Sequence, residues 1–398
     1  MKHRFFSALW LFLSTSAIAD MLSLPGSQHL NLKAQLGQAL FFDTALSEPA
    51  GQACASCHDP RQAFTDPDKS HPTSKGADPL LHGNRNTPTA MYSAYSPVFG
   101  FDKSAGLYIG GQFLDGRAST LSEQAKGPFL NPLEMANPDA DRVVAKVREA
   151  DYAELFERVY GVGALDNAVF AYDRIAEAIA EFERSPVLNR FSSKYDFYLL
   201  GKAFLTRQER RGLKLFEDSH KGNCAACHPN RPSNGKPPLF TDHSYDNLGV
   251  PKNPDNPFYE LEVSFNPEGS AFVDEGLGKR VNSEGEMGKI KVPTLRNVAL
   301  TAPYMHNGYF QTLRGVLTFY SSRDTKPHCS KSLTPEALAL KQNCWPAAEV
   351  ASQVNHAELG SLNLTAAEIS DLEAFLKTLT DGYKTESPWS FQAPPKLN

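Results

Sequence analysis

The chain has 398 residues, with 40 Lys or Arg against 45 Asp or Glu, for a formal net charge of −5 at pH 7. Mild acidity without a basic stripe excludes nucleic acid as a partner, because such binders carry clustered positive charge. The length holds two domains with their own cores, and 28 prolines and 27 glycines imply helices joined by long ordered loops.

In chain order, residues 1–19 read as a secretory signal. Lys2, His3 and Arg4 give a basic start, Phe5 to Leu13 a mostly apolar run, and Ala17-Ile18-Ala19 a small-residue cleavage site before Asp20. The apolar run is short for a bilayer, and no later segment approaches the ~20 residues a spanning helix needs. The expectation is export to the periplasm with cleavage after Ala19 and no membrane span afterwards. Losing Lys2 and Arg4 moves the formal charge from −5 to −7.

A degenerate duplication follows. Gly37-Gln38-Ala39-Leu40-Phe41-Phe42-Asp43, then Cys54-Ala55-Ser56-Cys57-His58, then Phe64-Thr65-Asp66 recur as Gly212-Leu213-Lys214-Leu215-Phe216-Glu217-Asp218, Cys224-Ala225-Ala226-Cys227-His228 and Phe240-Thr241-Asp242. Three blocks in one order indicate two related units, with a boundary in 186–205. The expected domains are 20–195 and 196–398.

The coarse pattern is helical. Residues 139–160 and 167–184 carry apolar side chains at helical spacing, for example Ile175, Ile179 and Phe182. Thr206 to Glu209 and Thr365 to Glu368 are capping boxes, the second opening a stripe of Ile369, Leu372, Leu376 and Leu379. Strands are expected to be few and short, and 229–238 and 251–285 to be long loops. Loops of that length are uncommon unless functional or wrapped around something.

Each C-x-x-C-H unit presents two thiols on one side of a helical turn, each able to add to a vinyl group. The histidine that follows projects its imidazole beneath an iron. The pattern reads as c-type haem attachment; a redox dithiol or a zinc knuckle could explain one copy, but not two in the same context. Cys54, Cys57, Cys224 and Cys227 are then the attachment points, and His58 and His228 the proximal ligands. The remaining pair, Cys329 and Cys344, is expected to form a disulfide in an oxidising compartment. The sixth iron positions decide between electron transfer and reaction with peroxide. Candidates are His71 and His82 for the first haem, and Met287, Tyr304, Met305, His306 and Tyr320 for the second. Spacing alone does not choose among them.

With those motifs placed, the sequence resembles the bacterial di-haem cytochrome c peroxidase superfamily, and within it the MauG-like members. The likeness runs over most of the chain through "HGNRNTPT" (82–89), "GGQFLDGRA" (110–118), "NPLEMANPD" (131–139), "FTDHSYDNLGVPKN" (240–253), "KVPTLRNVALTAPYMHNG" (291–308) and "TLRGVLTFY" (312–320). It implies an all-α fold of two cytochrome c-like domains. The first haem would have an open distal face lined by Gln124, Pro128 and Glu134, with Glu134 moving the peroxide proton; neither His71 nor His82 would ligate. The second haem would take Tyr320 as sixth ligand where typical peroxidases place a methionine. A calcium ion between the haems would be held by Asn86 and the carbonyls of Thr301 and Pro303. The implied function is formation of a high-valent di-haem state with hydrogen peroxide, followed by oxidation of aromatic residues of a partner protein. The alternatives are a cytochrome c peroxidase fed by a small electron-transfer protein, and a non-enzymatic electron carrier. Two positions depart from the pattern. Leu114 stands where "F-W-D-G-R" places a tryptophan between the haems, and Gly222 stands where MauG-like chains place one two residues before the second motif.

Overall fold

The computed structural model describes residues 24–233 and 235–384. The expected signal segment and Trp389 lie outside the described residues. Helices dominate, as expected. The first half carries α1 (Leu32–Phe42), the single turn α2 (Cys54–Cys57), α3 (Leu121–Leu130), α4 (Ala140–Glu149), α5 (Ala153–Tyr160) and α6 (Ala168–Glu183). The second carries α7 (Lys194–Leu199), α8 (Arg207–Glu217), the short α9 (Leu277–Val281), α10 (Leu313–Ser322), α11 (Glu336–Gln342) and α12 (Ala366–Lys377). Strands are confined to two antiparallel pairs among the described residues. These are β1 (Gly100–Asp102) with β2 (Leu107–Ile109), and β3 (Tyr245–Asp246) with β4 (Ile290–Lys291). Among the described residues no helix is long and apolar enough to cross a membrane.

The helix starts follow local side-chain chemistry. Thr206 and Glu209 cap reciprocally at the head of α8, the Thr206 amide donating to the Glu209 carboxylate at 2.6 Å. Thr365 and Glu368 repeat the device at α12 with 2.8 Å. Asp139 and Asn167 accept from the third amide of α4 and α6; caps of this kind are worth about 1 kcal/mol each. The apolar pattern over 139–160 resolves into two helices. The chain turns extended at Ala150, and the Tyr152 hydroxyl is held by Asp43 at 2.5 Å. The turn lets Phe156 of α5 enter the core that Val143, Val144 and Val147 of α4 already occupy.

The duplication extends to the way the helices pack. In the first half α1 packs on α6, and in the second α8 packs on α12. Both crossings are closed by a glycine from the first repeated block. A Cβ on Gly37 would lie 1.8 Å from the Ala178 carbonyl oxygen, and one on Gly212 would lie 2.0 Å from that of Asp371. One turn later Phe41 meets Phe182 at 5.3 Å between ring centroids, and Phe216 meets Phe375 at 5.1 Å. Phe64 and Phe240 complete the triads at 6.1 and 6.0 Å from Phe41 and Phe216. All six rings are buried, each contributing roughly 1.5–3 kcal/mol by its removal from water.

A further repeated element joins these cores to the cavity described below. Thr89 donates to the Ala63 carbonyl and accepts from the Met91 amide; Thr294 does the same with Leu239 and Arg296. Three residues beyond each threonine the backbone turns left-handed, at Tyr92 (φ 64°) and Asn297 (φ 62°). Asparagine tolerates that conformation; a tyrosine there is an outlier.

The long segment 251–285 is stitched to its surroundings. Asn256 donates to the Asn84 carbonyl at 2.9 Å, Asn253 to that of Asn307 at 2.8 Å, and Asp274 receives Arg85. A third cluster, with Phe310, Phe319 and Trp345 at its centre, is closed by the expected disulfide between Cys329 and Cys344, whose Cα atoms are 5.0 Å apart.

Candidate functional site: a cavity joining two C-x-x-C-H motifs

One cavity of about 490 Å³ takes in both motifs. Its wall includes Cys54, Cys57 and His58 together with Gln124, Pro128 and Glu134. It also includes Cys224, Cys227 and His228 together with Tyr320, and Leu114 and Lys291 from the junction between the halves.

Both histidines are set by the same device. His58 donates through Nδ1 to the Phe64 carbonyl at 3.0 Å, and His228 to the Phe240 carbonyl at 2.7 Å. Phe64 and Phe240 both have positive φ, 56° and 54°, which turns their carbonyls back toward the rings. Fixing the tautomer at Nδ1 leaves Nε2 as the free acceptor, the arrangement a metal-ligating histidine requires. Burial lowers both imidazole pKa values, keeping them in the neutral, ligating form.

The four motif cysteines are unpaired. Burial pushes the Cys57, Cys224 and Cys227 thiols up to about 12, and Cys54 higher still. A redox dithiol calls for a depressed thiol pKa, so the environment argues against that reading. Paired thiols and an oriented imidazole, repeated on the wall of one shared cavity, fit two covalently attached porphyrins.

To the cavity that His58 lines, α3 contributes Gln124 and Pro128, spaced four residues apart on one face, and the turn after it contributes Glu134. Thr120 caps α3 by accepting from the Glu123 amide. Pro128 has no N–H to return to Gln124. Burial raises the Glu134 carboxyl above its usual value, against the opposing pull of Arg117 and Asn131. Arg117 acts on it through charge alone and ends a chain of ions that no sequence motif had assigned. Arg117 pairs with Asp115, which also accepts from Arg85 Nη1 at 2.7 Å. Arg85 grips Asp274 through Nε at 2.6 Å and Nη2 at 2.7 Å. The blocks "HGNRNTPT" and "FLDGR" carried the signal for it.

Tyr320, from the last turn of α10, lines the cavity, and no hydrogen bond to its hydroxyl is found among the described residues. Burial raises its pKa well above that of an ordinary phenol, and the neighbouring Cys224 and Cys227 add to the shift. Such a phenol stays protonated until a cationic centre stabilises its oxygen anion. Of the other candidates, Tyr304, Met305 and His306 also line the cavity, whereas Met287, His71 and His82 do not. Met287 packs against Gly278. His82 bonds the Thr73 carbonyl and its ring lies 4.9 Å from that of His71.

Asn86 meets the loop 301–306. Its side-chain amide donates to the Pro303 carbonyl at 2.7 Å and its backbone amide to that of His306 at 2.7 Å. Thr301 lines the same cavity. Gly222 admits no side chain, since a Cβ would lie 2.1 Å from the Leu215 carbonyl oxygen. Leu114 bonds Lys291 through its backbone carbonyl at 2.9 Å.

Comparison with known proteins agrees with this geometry. Residues 31–203 match the family model described as di-haem cytochrome c peroxidase. The chain is 41% identical over 356 residues to the methylamine utilization protein MauG of Paracoccus denitrificans, covering 87% of this chain and 88% of that protein. It is 35% identical to cytochrome c551 peroxidase of Nitrosomonas europaea, covering 70% of each. Among solved structures it resembles the diheme peroxidase BthA of Burkholderia thailandensis, with a TM-score of 0.73 and 34% identity over 88% of this chain and 86% of that one. A family whose members carry two c-type haems accounts for both motifs and for the shared cavity. The chain belongs to the di-haem cytochrome c peroxidase superfamily as a MauG-like member, and is a haem-dependent, peroxidase-type oxidoreductase.

Proposed function

We propose that this chain uses hydrogen peroxide to oxidise aromatic side chains of a partner protein at a distance, in the manner implied by its MauG-like sequence. The observation that carries the reading is Tyr320, a phenol on the cavity wall beside Cys224 and Cys227, with no hydrogen-bond partner for its hydroxyl among the described residues. His58 and His228 would be the proximal ligands and Tyr320 the sixth ligand of the second iron, with one haem held by residues 20–195 and one by 196–398. The haems, when bound, supply the two-electron chemistry of peroxide cleavage.

Glu134 takes a proton from the inner oxygen of peroxide and returns it to the departing outer oxygen. A carboxyl whose pKa burial has moved toward the working pH suits both steps. Gln124 offers its amide to the bound oxidant, and Pro128 and Leu121 keep that wall apolar. As a hard, anionic phenolate Tyr320 would lower the reduction potential of the second iron, where a thioether would raise it. The phenolate would thus favour sharing oxidising equivalents over storing an electron. Asn86, Thr301 and Pro303 supply oxygen donors suited to calcium, once the Asn86 amide turns its oxygen inward. The Cys329–Cys344 disulfide suits export to the periplasm.

Met305 also lines the cavity, which supports a second reading, a cytochrome c peroxidase with a thioether ligand. Electron paramagnetic resonance of the oxidised holoprotein separates the two. One high-spin and one low-spin haem are expected, the low-spin signal changing in Tyr320→Phe and the high-spin signal lost on adding peroxide. A low-spin signal untouched by that substitution would remove the tyrosine ligand, and two low-spin haems inert to peroxide would leave only an electron carrier.

A further inference from the structure

Leu114 and Gly222 stand where the resemblance places tryptophans, so neither position offers an oxidisable ring, but the cavity wall does. Three tyrosines among the described residues line it: Tyr92, Tyr304 and Tyr320. Tyr304 donates to the Val298 carbonyl, which cannot take up a proton, and Tyr320 is the proposed ligand. Tyr92 is different. Its hydroxyl donates to Asp381 Oδ2 at 2.6 Å and accepts from the Phe191 amide at 2.9 Å. Asp381 is itself fixed by the Ser192 amide at 2.9 Å and by Asn297 Nδ2 at 2.8 Å. The ring is 2% exposed. It also occupies the left-handed position that the second half gives to Asn297, and backbone strain kept at an unfavourable residue marks functional positions.

The surroundings give the site a direction. Tyr92 lies 4.9 Å from Phe191, and Phe191 lies 5.5 Å from the half-buried Tyr95, centroid to centroid. Arg296 stands 5.0 Å over Tyr92 and 6.0 Å over Phe240, the residue whose carbonyl holds His228. A guanidinium at that distance opposes positive charge on the ring, so electron and proton must leave Tyr92 together. A second phenol–carboxylate pair, Tyr152 with Asp43, does not reach the cavity wall.

We propose that Tyr92 is a one-electron relay between the haems and the protein surface, with Asp381 as its proton acceptor. This rests on the function proposed above. In each transfer an electron passes from the Tyr92 ring to the peroxide-oxidised haems. The Oη–H bond breaks and its proton moves to Asp381 Oδ2, leaving a neutral tyrosyl radical and a carboxylic acid. An electron from the partner, arriving through Tyr95 and Phe191, restores the phenol as Asp381 returns the proton. The two equivalents of one peroxide require two such cycles.

The test is freeze-quench electron paramagnetic resonance of the peroxide-treated holoprotein, with ordinary and ring-deuterated tyrosine. Expected is a tyrosyl signal that narrows on deuteration, vanishes in Tyr92→Phe and Asp381→Asn, and persists in Tyr152→Phe. In Tyr92→Phe the oxidised haems should decay roughly tenfold more slowly and lose their solvent deuterium isotope effect, while the resting haem spectrum stays as in the wild type. A relay confined to packing would move none of these readouts. An unchanged signal and decay in Tyr92→Phe overturns the proposal. So does wild-type protein whose haems are oxidised by peroxide without any tyrosyl signal, an outcome that leaves the proposed function standing. Haems that peroxide does not oxidise at all take down both.

Discussion

The two halves hold their histidines by one device and differ on the wall across the cavity. Phe64 and Phe240 present the same carbonyl to the same imidazole nitrogen, and the Gly37 and Gly212 crossings behind them match to a few tenths of an ångström. Beyond His58 stand Gln124, Pro128 and Glu134, with Glu183 at the end of α6. Beside Cys224 and Cys227 stand Tyr320 and, at the position matching Glu183, Leu376. Duplication preserved the scaffold that orients the imidazole, while the cavity wall diverged into a side bearing buried carboxyls and a side bearing a phenol.

Substitutions that swap or erase these differences should have unequal effects. Glu134→Gln is expected to lower peroxide-driven turnover of the holoprotein about 10²–10⁴-fold, read by peroxide consumption at matched haem content. Because burial raises the Glu134 carboxyl, wild-type turnover should climb as pH rises through that displaced value. The glutamine variant should lack this acid limb.

Glu183→Leu copies the second half into the first. Burial pushes the Glu183 carboxyl up to about 8, and Oε2 has no hydrogen-bond partner among the described residues. A carboxyl raised in the folded state stabilises most below its unfolded pKa, and that stability drains away as pH rises toward the folded value. The leucine variant should therefore gain about 3–5 kcal/mol of unfolding free energy at pH 8 and little at pH 4, by chemical denaturation at the two pH values.

Gly37→Ala and Gly212→Ala probe what the halves share. Each should lose about 1–3 kcal/mol by forcing two helices apart, and the losses should agree; a large inequality would show that one crossing yields where the other does not. Smallest, Thr89→Val and Thr294→Val should each cost about 1 kcal/mol by leaving the Ala63 or Leu239 carbonyl without its donor.

The C-x-x-C-H motifs, the duplication and the capped helices were legible because each is written in neighbouring residues. Thr206 with Glu209 and Thr365 with Glu368 cap as their spacing implies. The break between α4 and α5 was hidden because 139–160 keeps its apolar rhythm across the turn at Ala150. The carbonyls that orient the imidazoles lay within the repeated F-T-D block, yet backbone atoms leave no mark in composition. The Arg85 chain and the Tyr92–Asp381 pair join residues up to 289 positions apart, and no local pattern announces such contacts.

Arg85 has a consequence of its own. Its fork ties the Asp115 loop of the first half to Asp274 of the second, and buried ion pairs add little net stability while demanding a fixed geometry. Under the proposed function two metal centres would work as one conductor, and such a pair depends on a gap that never breathes, since tunnelling fades steeply with every added ångström. The guanidinium joins the two halves on the wall of their shared cavity, and shortening it to lysine, which lacks the planar fork, would loosen that junction before it loosened the fold.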